Sequence, residues 1–128
     1  MSVLEYATIA NMEVSVVILI ETVEGVENVD EIVSTPGIDM VLQGPVDLAA
    51  SMGSIDLQGS PEHNAALKRI YEACKGAHVP VAAYVTSMET LRQGIASGYD
   101  AIVVATDLDL LLNGANDIVT CARQAKGC

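Results

Sequence analysis

The chain has 128 residues, 51% of them hydrophobic, and its only aromatic residues are four tyrosines. That length and composition describe one domain spanning 1–128 with a small aliphatic core, and they exclude a disordered chain or a disulfide scaffold. Seventeen acidic residues against six basic ones leave a formal net charge of -11, which repels nucleic acid and anionic membrane surfaces and excludes polyanion binding as the function.

Cys74, Cys121 and Cys128 are odd in number and show no metal-ligand spacing, so they are expected as reduced thiols of a cytoplasmic protein. The amino terminus shows no basic segment followed by an apolar core and a small-residue cleavage site, which argues against secretion. The longest apolar run, residues 14–20 with Ser15 inside it, is too short to span a bilayer.

Taken in chain order, residues 1–12 have no clear period and read as a loop or the tail of a helix. Residues 14–20 form the first predicted strand, closed by Glu21. Val23, Val26, Val29, Ile32 and Val33 then recur at helical spacing, with Glu24, Glu27, Asp30 and Glu31 on a solvated face and Thr35-Pro36-Gly37 as the stop. Residues 38–43 are the second strand, ended by the Gly44-Pro45 turn. After a loop rich in Gly and Ser, Ser60 is a good N-cap with Pro61 at the first helical position. Leu67, Ile70, Tyr71 and Cys74 form that helix's buried stripe, and Gly76 stops it.

Residues 80–85 are a third strand, followed by Ser87 as N-cap and a helix through Met88, Leu91 and Ile95 to Gly98. The fourth strand, 101–105, leads into a helical turn that Asn113-Gly114 is expected to break. A last helix over 115–125 should then face Ile118, Val119 and Ala122 inward. Four strand-helix units in succession call for an α/β fold with a parallel sheet and right-handed crossovers. Such a sheet is satisfied either as a small open flavodoxin-like sheet or as half of an eight-stranded (β/α)8 barrel.

The stretch 43–53, Gln-Gly-Pro-Val-Asp-Leu-Ala-Ala-Ser-Met-Gly, has the features of a site mouth. Gly44 permits close approach of a ligand to the backbone, Pro45 stiffens the turn, and Asp47 presents a carboxylate at the carboxyl end of the strand, where parallel α/β folds bind ligands. If the first two strands are neighbours, Glu21 reaches the same rim and the two carboxylates can share one hard divalent cation. Taken singly, Glu21 is an ordinary residue of a strand-to-helix junction and Asp47 an ordinary capping residue. Ser51 reads best as a hydroxyl closing a turn, Thr106 and Asp107 as helix caps, and Tyr84 as an aromatic filling core space. Cys74 reads as inert packing.

Four separated blocks carry a family resemblance: Leu19-Ile20-Glu21-Thr22, Asn28-Val29-Asp30-Glu31-Ile32, Pro36-Gly37-Ile38-Asp39 and Gly44-Pro45-Val46-Asp47-Leu48-Ala49-Ala50-Ser51-Met52-Gly53. In order and spacing the chain resembles the metal-dependent (class II) pyruvate aldolases of the HpcH/HpaI type, from about residue 6 to about residue 112. The resemblance implies a (β/α)8 barrel, usually hexameric, of which this chain matches only the second half. It implies Glu21 and Asp47 as ligands of Mg2+, Mn2+ or a similar ion, with Gly44 and Val46 near the carboxylate of pyruvate. The implied chemistry is a carbon–carbon lyase: reversible aldol cleavage of a 2-keto-hydroxy acid to pyruvate and an aldehyde, through an enolate stabilised by the metal as a Lewis acid.

The departures from the family pattern are also specific. The family's proton-transfer His and its keto-polarising Arg belong to the first half of the barrel, which nothing here matches, and neither His63 nor His78 takes their place. No catalytic residue is therefore identified in this chain. Leu19 stands where many members have Gln, and Gln43 stands where an apolar residue usually precedes the Gly-Pro. A half-barrel exposes open edges, so the expected assembly is a homo-oligomer or a pairing with a chain that supplies the missing half. The alternatives are a catalytically inactive remnant of such a barrel and a CoA-ester lyase of the related citrate-lyase type, against which the Gly-Pro-Val-Asp-Leu form argues.

Overall fold

A computed structural model describes residues 2–125, and Cys128 lies outside them. The amino-terminal segment, read as a loop or the tail of a helix, is the helix α1 (Val3–Glu13). Its signal was in the cap rather than in the periodicity. The Ser2 hydroxyl accepts from the Glu5 N–H and the Glu5 carboxylate accepts in return from the Ser2 N–H, a reciprocal pair that satisfies two orphan donors.

Strand β1 (Val17–Ile20) leads into α2 (Val23–Glu27) and α3 (Val29–Val33). The single helix expected over this stretch is thus two. Asn28 interrupts it with φ -95° and ψ 11°, while its side-chain amide donates to the Glu24 carbonyl. Strand β2 (Met40–Gln43), α4 (Pro45–Ser51), a 3-10 turn (Ile55–Leu57) and α5 (Pro61–Gly76) follow. Helix α5 ends at Gly76, the expected stop. His78 takes the left-handed conformation at φ 58°, and the Val79 N–H closes back on the Cys74 carbonyl. The remaining elements are β3 (Val81–Tyr84), α6 (Met88–Ala96), β4 (Ala101–Val103) and α7 (Asp107–Ala125).

All four strands are shorter than their apolar runs, because the sheet ladder ends before the apolar residues do. Helix α7 is continuous through Asn113-Gly114, since a glycine in an exposed helix costs only about 1 kcal/mol and no sharp turn is imposed there. Ile118 and Val119, expected to face inward, are 72% and 46% exposed, and Ala122 is exposed too. Among the described residues none of this helix is buried. No helix among them is long and apolar enough to cross a membrane.

The sheet is parallel throughout, with strand order β1-β2-β3-β4. That order excludes the flavodoxin-like alternative, in which the strand sequence reverses at a switch point and helices cover both faces. Here every connection advances one strand in the same direction, so the crossover helices share one face, as in a segment of a (β/α)8 barrel. The helix-covered face holds the core, in which Ile20, Val41 and Val81 of the sheet meet Val29, Val33, Leu48, Ile70 and Cys74 of the helices. The register places Val17 and Leu19 of β1 level with Met40 and Leu42 of β2, on the opposite face from that core, and Ala82 and Ala101 continue the row. This second face is apolar and carries no charge, yet Val17 and Leu19 remain about half exposed.

Candidate active site at the carboxyl rim

The turn after β2 defines the site. The Gly44 N–H extends the sheet ladder to the Ile20 carbonyl at 3.1 Å, which fixes the β2 exit against the last residue of β1. Glu21 follows Ile20 directly, and its side chain lies over Gly44. A Cβ built on Gly44 would stand 2.7 Å from Glu21 Cβ and 3.0 Å from Glu21 Oε2. Glycine is required here because of this close approach; its φ of -103° is open to other residues. Pro45 opens α4 at the position where its missing N–H costs nothing, and Asp47 sits in the first turn.

Both predicted carboxylates therefore stand at one rim, on adjacent strand ends. Among the described residues neither makes a hydrogen bond or an ion pair. The ion pairs lie elsewhere and join Lys68 to Glu72, Arg69 to Asp30 and Lys75 to Asp100. Two unengaged carboxylates without a neighbouring ammonium or guanidinium are a donor set suited to a hard cation that keeps several non-protein ligands. Next to Gly44 an open cavity of about 310 Å³ is lined by Leu19, Leu42, Gln43, Gly44, Pro45, Val46, Asp47 and Tyr84; Glu21 stands at its edge, over Gly44.

Gly44 and Val46, the two expected substrate neighbours, differ in what they offer. The N–H of Gly44 is engaged in the ladder, so its contribution is the absence of a side chain. The Val46 N–H, in the first turn of α4, has no acceptor among the described residues, and Val46 is one of the residues that line the cavity.

Three residues play parts that the sequence did not disclose. Tyr84 is not core filling. Register with Val103 and Ala82 puts it on the uncovered face, it lines the cavity, and its hydroxyl donates to Asp109 at 3.3 Å. Burial pushes its phenol above the ordinary value, and the negative charge of Asp109 adds to that. Asp109 in turn is held below the usual carboxylate range by the Thr106 hydroxyl and N–H, and the Thr106 hydroxyl caps α7 as expected.

Ser51 does not close a local turn. Its hydroxyl accepts from the N–H of Val23 at 3.1 Å, tying the end of α4 to the start of α2. His63 is 2% exposed. The Gly59 N–H donates to its Nδ1 at 3.2 Å, so its Nε2 carries the proton and donates to the Pro45 carbonyl at 2.7 Å. Both ring nitrogens are consumed in holding α4 to the start of α5. Strand parity would have placed Tyr84 once the strand order was known. The other two contacts join positions 28 and 18 residues apart and leave no local signal.

Gln43 and Leu19 do not exchange roles. Leu19 is on the uncovered face, whereas Gln43 pairs in register with Ile20 on the helix-covered face. There Gln43 donates to the Leu67 carbonyl at 2.7 Å and accepts from the Tyr99 hydroxyl at 2.9 Å. Cys74 is buried and its thiol is pushed up to about 11, chiefly by burial, so it is inert at neutral pH.

Residues 2–114 match the family model of the HpcH/HpaI aldolase/citrate lyases. The chain belongs to the HpcH/HpaI family. Among curated relatives, the hydroxypyruvate/pyruvate aldolase of Paraburkholderia phytofirmans is 30% identical over 108 residues, covering 84% of this chain and 42% of that protein. The hydroxypyruvate/pyruvate aldolase of Rhizorhabdus wittichii is 35% identical over 107 residues, covering 82% and 43%. A crystal structure of a family member from Burkholderia cenocepacia superposes with TM-score 0.81 at 34% identity, over 93% of this chain and 46% of that one. The chain thus spans less than half the length of the relatives it matches, and the part that it matches is a four-stranded barrel segment.

Proposed function

We propose that this chain forms the metal and keto-acid half of a divalent-metal-dependent aldolase, which cleaves a 2-keto-hydroxy acid to pyruvate and an aldehyde or runs that reaction in reverse. The observation that carries the reading is the pairing of Glu21 and Asp47 on adjacent strand ends, both unengaged, with Gly44 kept bare beneath Glu21. Glu21 and Asp47 would hold Mg2+, Mn2+ or a similar ion. Such an ion supplies Lewis acidity toward a bound 2-keto acid. Val46 would offer its free N–H to the substrate carboxylate, Gly44 leaves room for it, and Leu19, Leu42 and Tyr84 give its methyl end an apolar wall.

The same geometry supports a division of labour. His63 has both nitrogens engaged in structure, and Arg69 is paired with Asp30 between α5 and α3. Neither supplies a base or a cation to the cavity. Turnover then depends on groups brought by whatever closes the uncovered face of the sheet, either a second copy or a chain with the remaining half of the barrel. The free thiols Cys74 and Cys121 fit a reducing compartment such as the cytoplasm.

The test is Mn2+ binding by electron paramagnetic resonance, together with deuterium exchange at the methyl group of pyruvate in D2O, with a chelator control. Saturable Mn2+ binding lost in Glu21→Gln and in Asp47→Asn supports the site. Chelator-sensitive exchange shows that enolate chemistry runs in the chain alone, whereas binding without exchange assigns the base to the closing half. Wild-type chain that folds and binds no Mn2+ refutes the proposal.

A further inference from the structure

We propose that Ser51 is a positioning residue that sets the separation of the two rim carboxylates and thereby the size of cation the site accepts; this rests on the metal site proposed above. Glu21 and Asp47 belong to different strand-helix units, so nothing local fixes the distance between them. Two hydrogen bonds join their loops. One is the ladder bond from the Gly44 N–H to the Ile20 carbonyl, made by backbone before either carboxylate. The other comes after them, from the N–H of Val23 to the Ser51 hydroxyl at 3.1 Å.

Glu21 therefore lies between Ile20 and Val23, and Asp47 between Gly44 and Ser51, as facing members of a closed ring with a backbone link on one side and a side-chain link on the other. The Val23 N–H is the first of α2 and has no acceptor within its own helix, since the Thr22 hydroxyl accepts from Gly25. Ser51 satisfies that orphan donor from another unit. The remaining anchor of α4, His63 on the Pro45 carbonyl, runs to α5 and does not touch the Glu21 loop. Leu48 packs α4 into the core beside Ile20 and Val29, and among the described residues Ser51 makes the one side-chain hydrogen bond between the two ligand loops.

Opening the ring at Ser51 leaves the ladder bond as a hinge about which the carboxylates drift apart. Mg2+, which demands bonds of about 2.0–2.1 Å in near-ideal octahedral geometry, loses more from that drift than Ca2+, which is satisfied by about 2.3–2.6 Å with irregular geometry. Loss of one exposed hydrogen bond, at about 1 kcal/mol, corresponds to a weakening of roughly fivefold.

The experiment measures dissociation constants for Mg2+ and for Ca2+, each by competition against Mn2+ followed by electron paramagnetic resonance, on the 128-residue chain and its Ser51→Ala and Ser51→Thr variants. Urea midpoints are recorded without metal. Ser51→Ala is expected to weaken Mg2+ by about fivefold and Ca2+ by less than about twofold, with Ser51→Thr restoring the wild-type ratio through its hydroxyl. Equal weakening of both ions, an unchanged ratio in Ser51→Ala, or failure of Ser51→Thr to restore it overturns the proposal. If Glu21→Gln and Asp47→Asn leave Mn2+ binding intact as well, the metal site itself is wrong. If they abolish it while Ser51→Ala changes nothing, only the role of Ser51 falls.

Discussion

Gly44→Ala isolates the close approach that brings Glu21 to the rim. The added methyl carbon would lie 2.7 Å from Glu21 Cβ, 3.0 Å from Glu21 Oε2 and 3.3 Å from Leu19 Cδ1. Carbon atoms pack best at about 3.5–4.0 Å, so the β1 and β2 exits must separate by roughly 1 Å. No rotamer of Glu21 relieves this, because its Cβ is carried rigidly by the backbone. The φ of -103° at Gly44 lies on the side that alanine adopts, so the steric conflict is the perturbation. Overpacking of this kind costs about 1–3 kcal/mol, offset in part by roughly 0.4–1 kcal/mol from the stiffer unfolded chain. A net loss of about 1–2 kcal/mol moves the urea midpoint down by on the order of 1 M. A shift of about 1 Å is also half of a short metal–oxygen bond, so Mn2+ affinity should fall on the order of tenfold or more. An unchanged midpoint together with unchanged Mn2+ affinity would falsify the placement of Glu21 over Gly44. A lowered midpoint with unchanged affinity would show that Glu21 is adjacent and is not a ligand.

Two further outcomes follow from the supports around this turn. His63→Leu keeps the volume but strands the Gly59 N–H and removes the donor to the Pro45 carbonyl, so it should cost about 2–4 kcal/mol in urea unfolding, with His63→Gln recovering part of the loss. Asp100 is held below the usual carboxylate range first by Lys75 and then by the Val81 N–H. A carboxyl group lowered on folding stabilises the fold above its unfolded pKa and loses that contribution as pH falls through the folded value. Asp100→Asn should accordingly lower the urea midpoint at pH 7, with the difference from wild type closing as pH falls below about 4. A difference that persists undiminished at low pH would assign the loss to packing instead.

What the sequence determined by itself was local. Apolar runs ended by Gly and Pro marked the strands. Ser60-Pro61 and Ser87 marked the helix starts, and the block around Gly44-Pro45 marked the mouth with Asp47 in it. These features depend on neighbours a few residues apart, through capping bonds, restricted φ and side-chain periodicity. Where a local rule could be broken cheaply, as at Gly114, where a glycine in an exposed helix costs only about 1 kcal/mol, the sequence reading failed. At α1 it left a loop and the tail of a helix both open, because the cap and not the periodicity marked the helix.

Only the tertiary structure decided the strand order, and with it which face of the sheet each residue joins. Composition fits a doubly wound sheet as well as a half-barrel; the order β1-β2-β3-β4 is what sends Leu19 and Tyr84 to the uncovered face and Gln43 to the core. It also decided the contacts that join distant loops, Ser51 to Val23 and His63 to Pro45. A hydroxyl or an imidazole bonds whichever backbone group folding brings within about 3 Å, and a linear sequence carries no record of that distance.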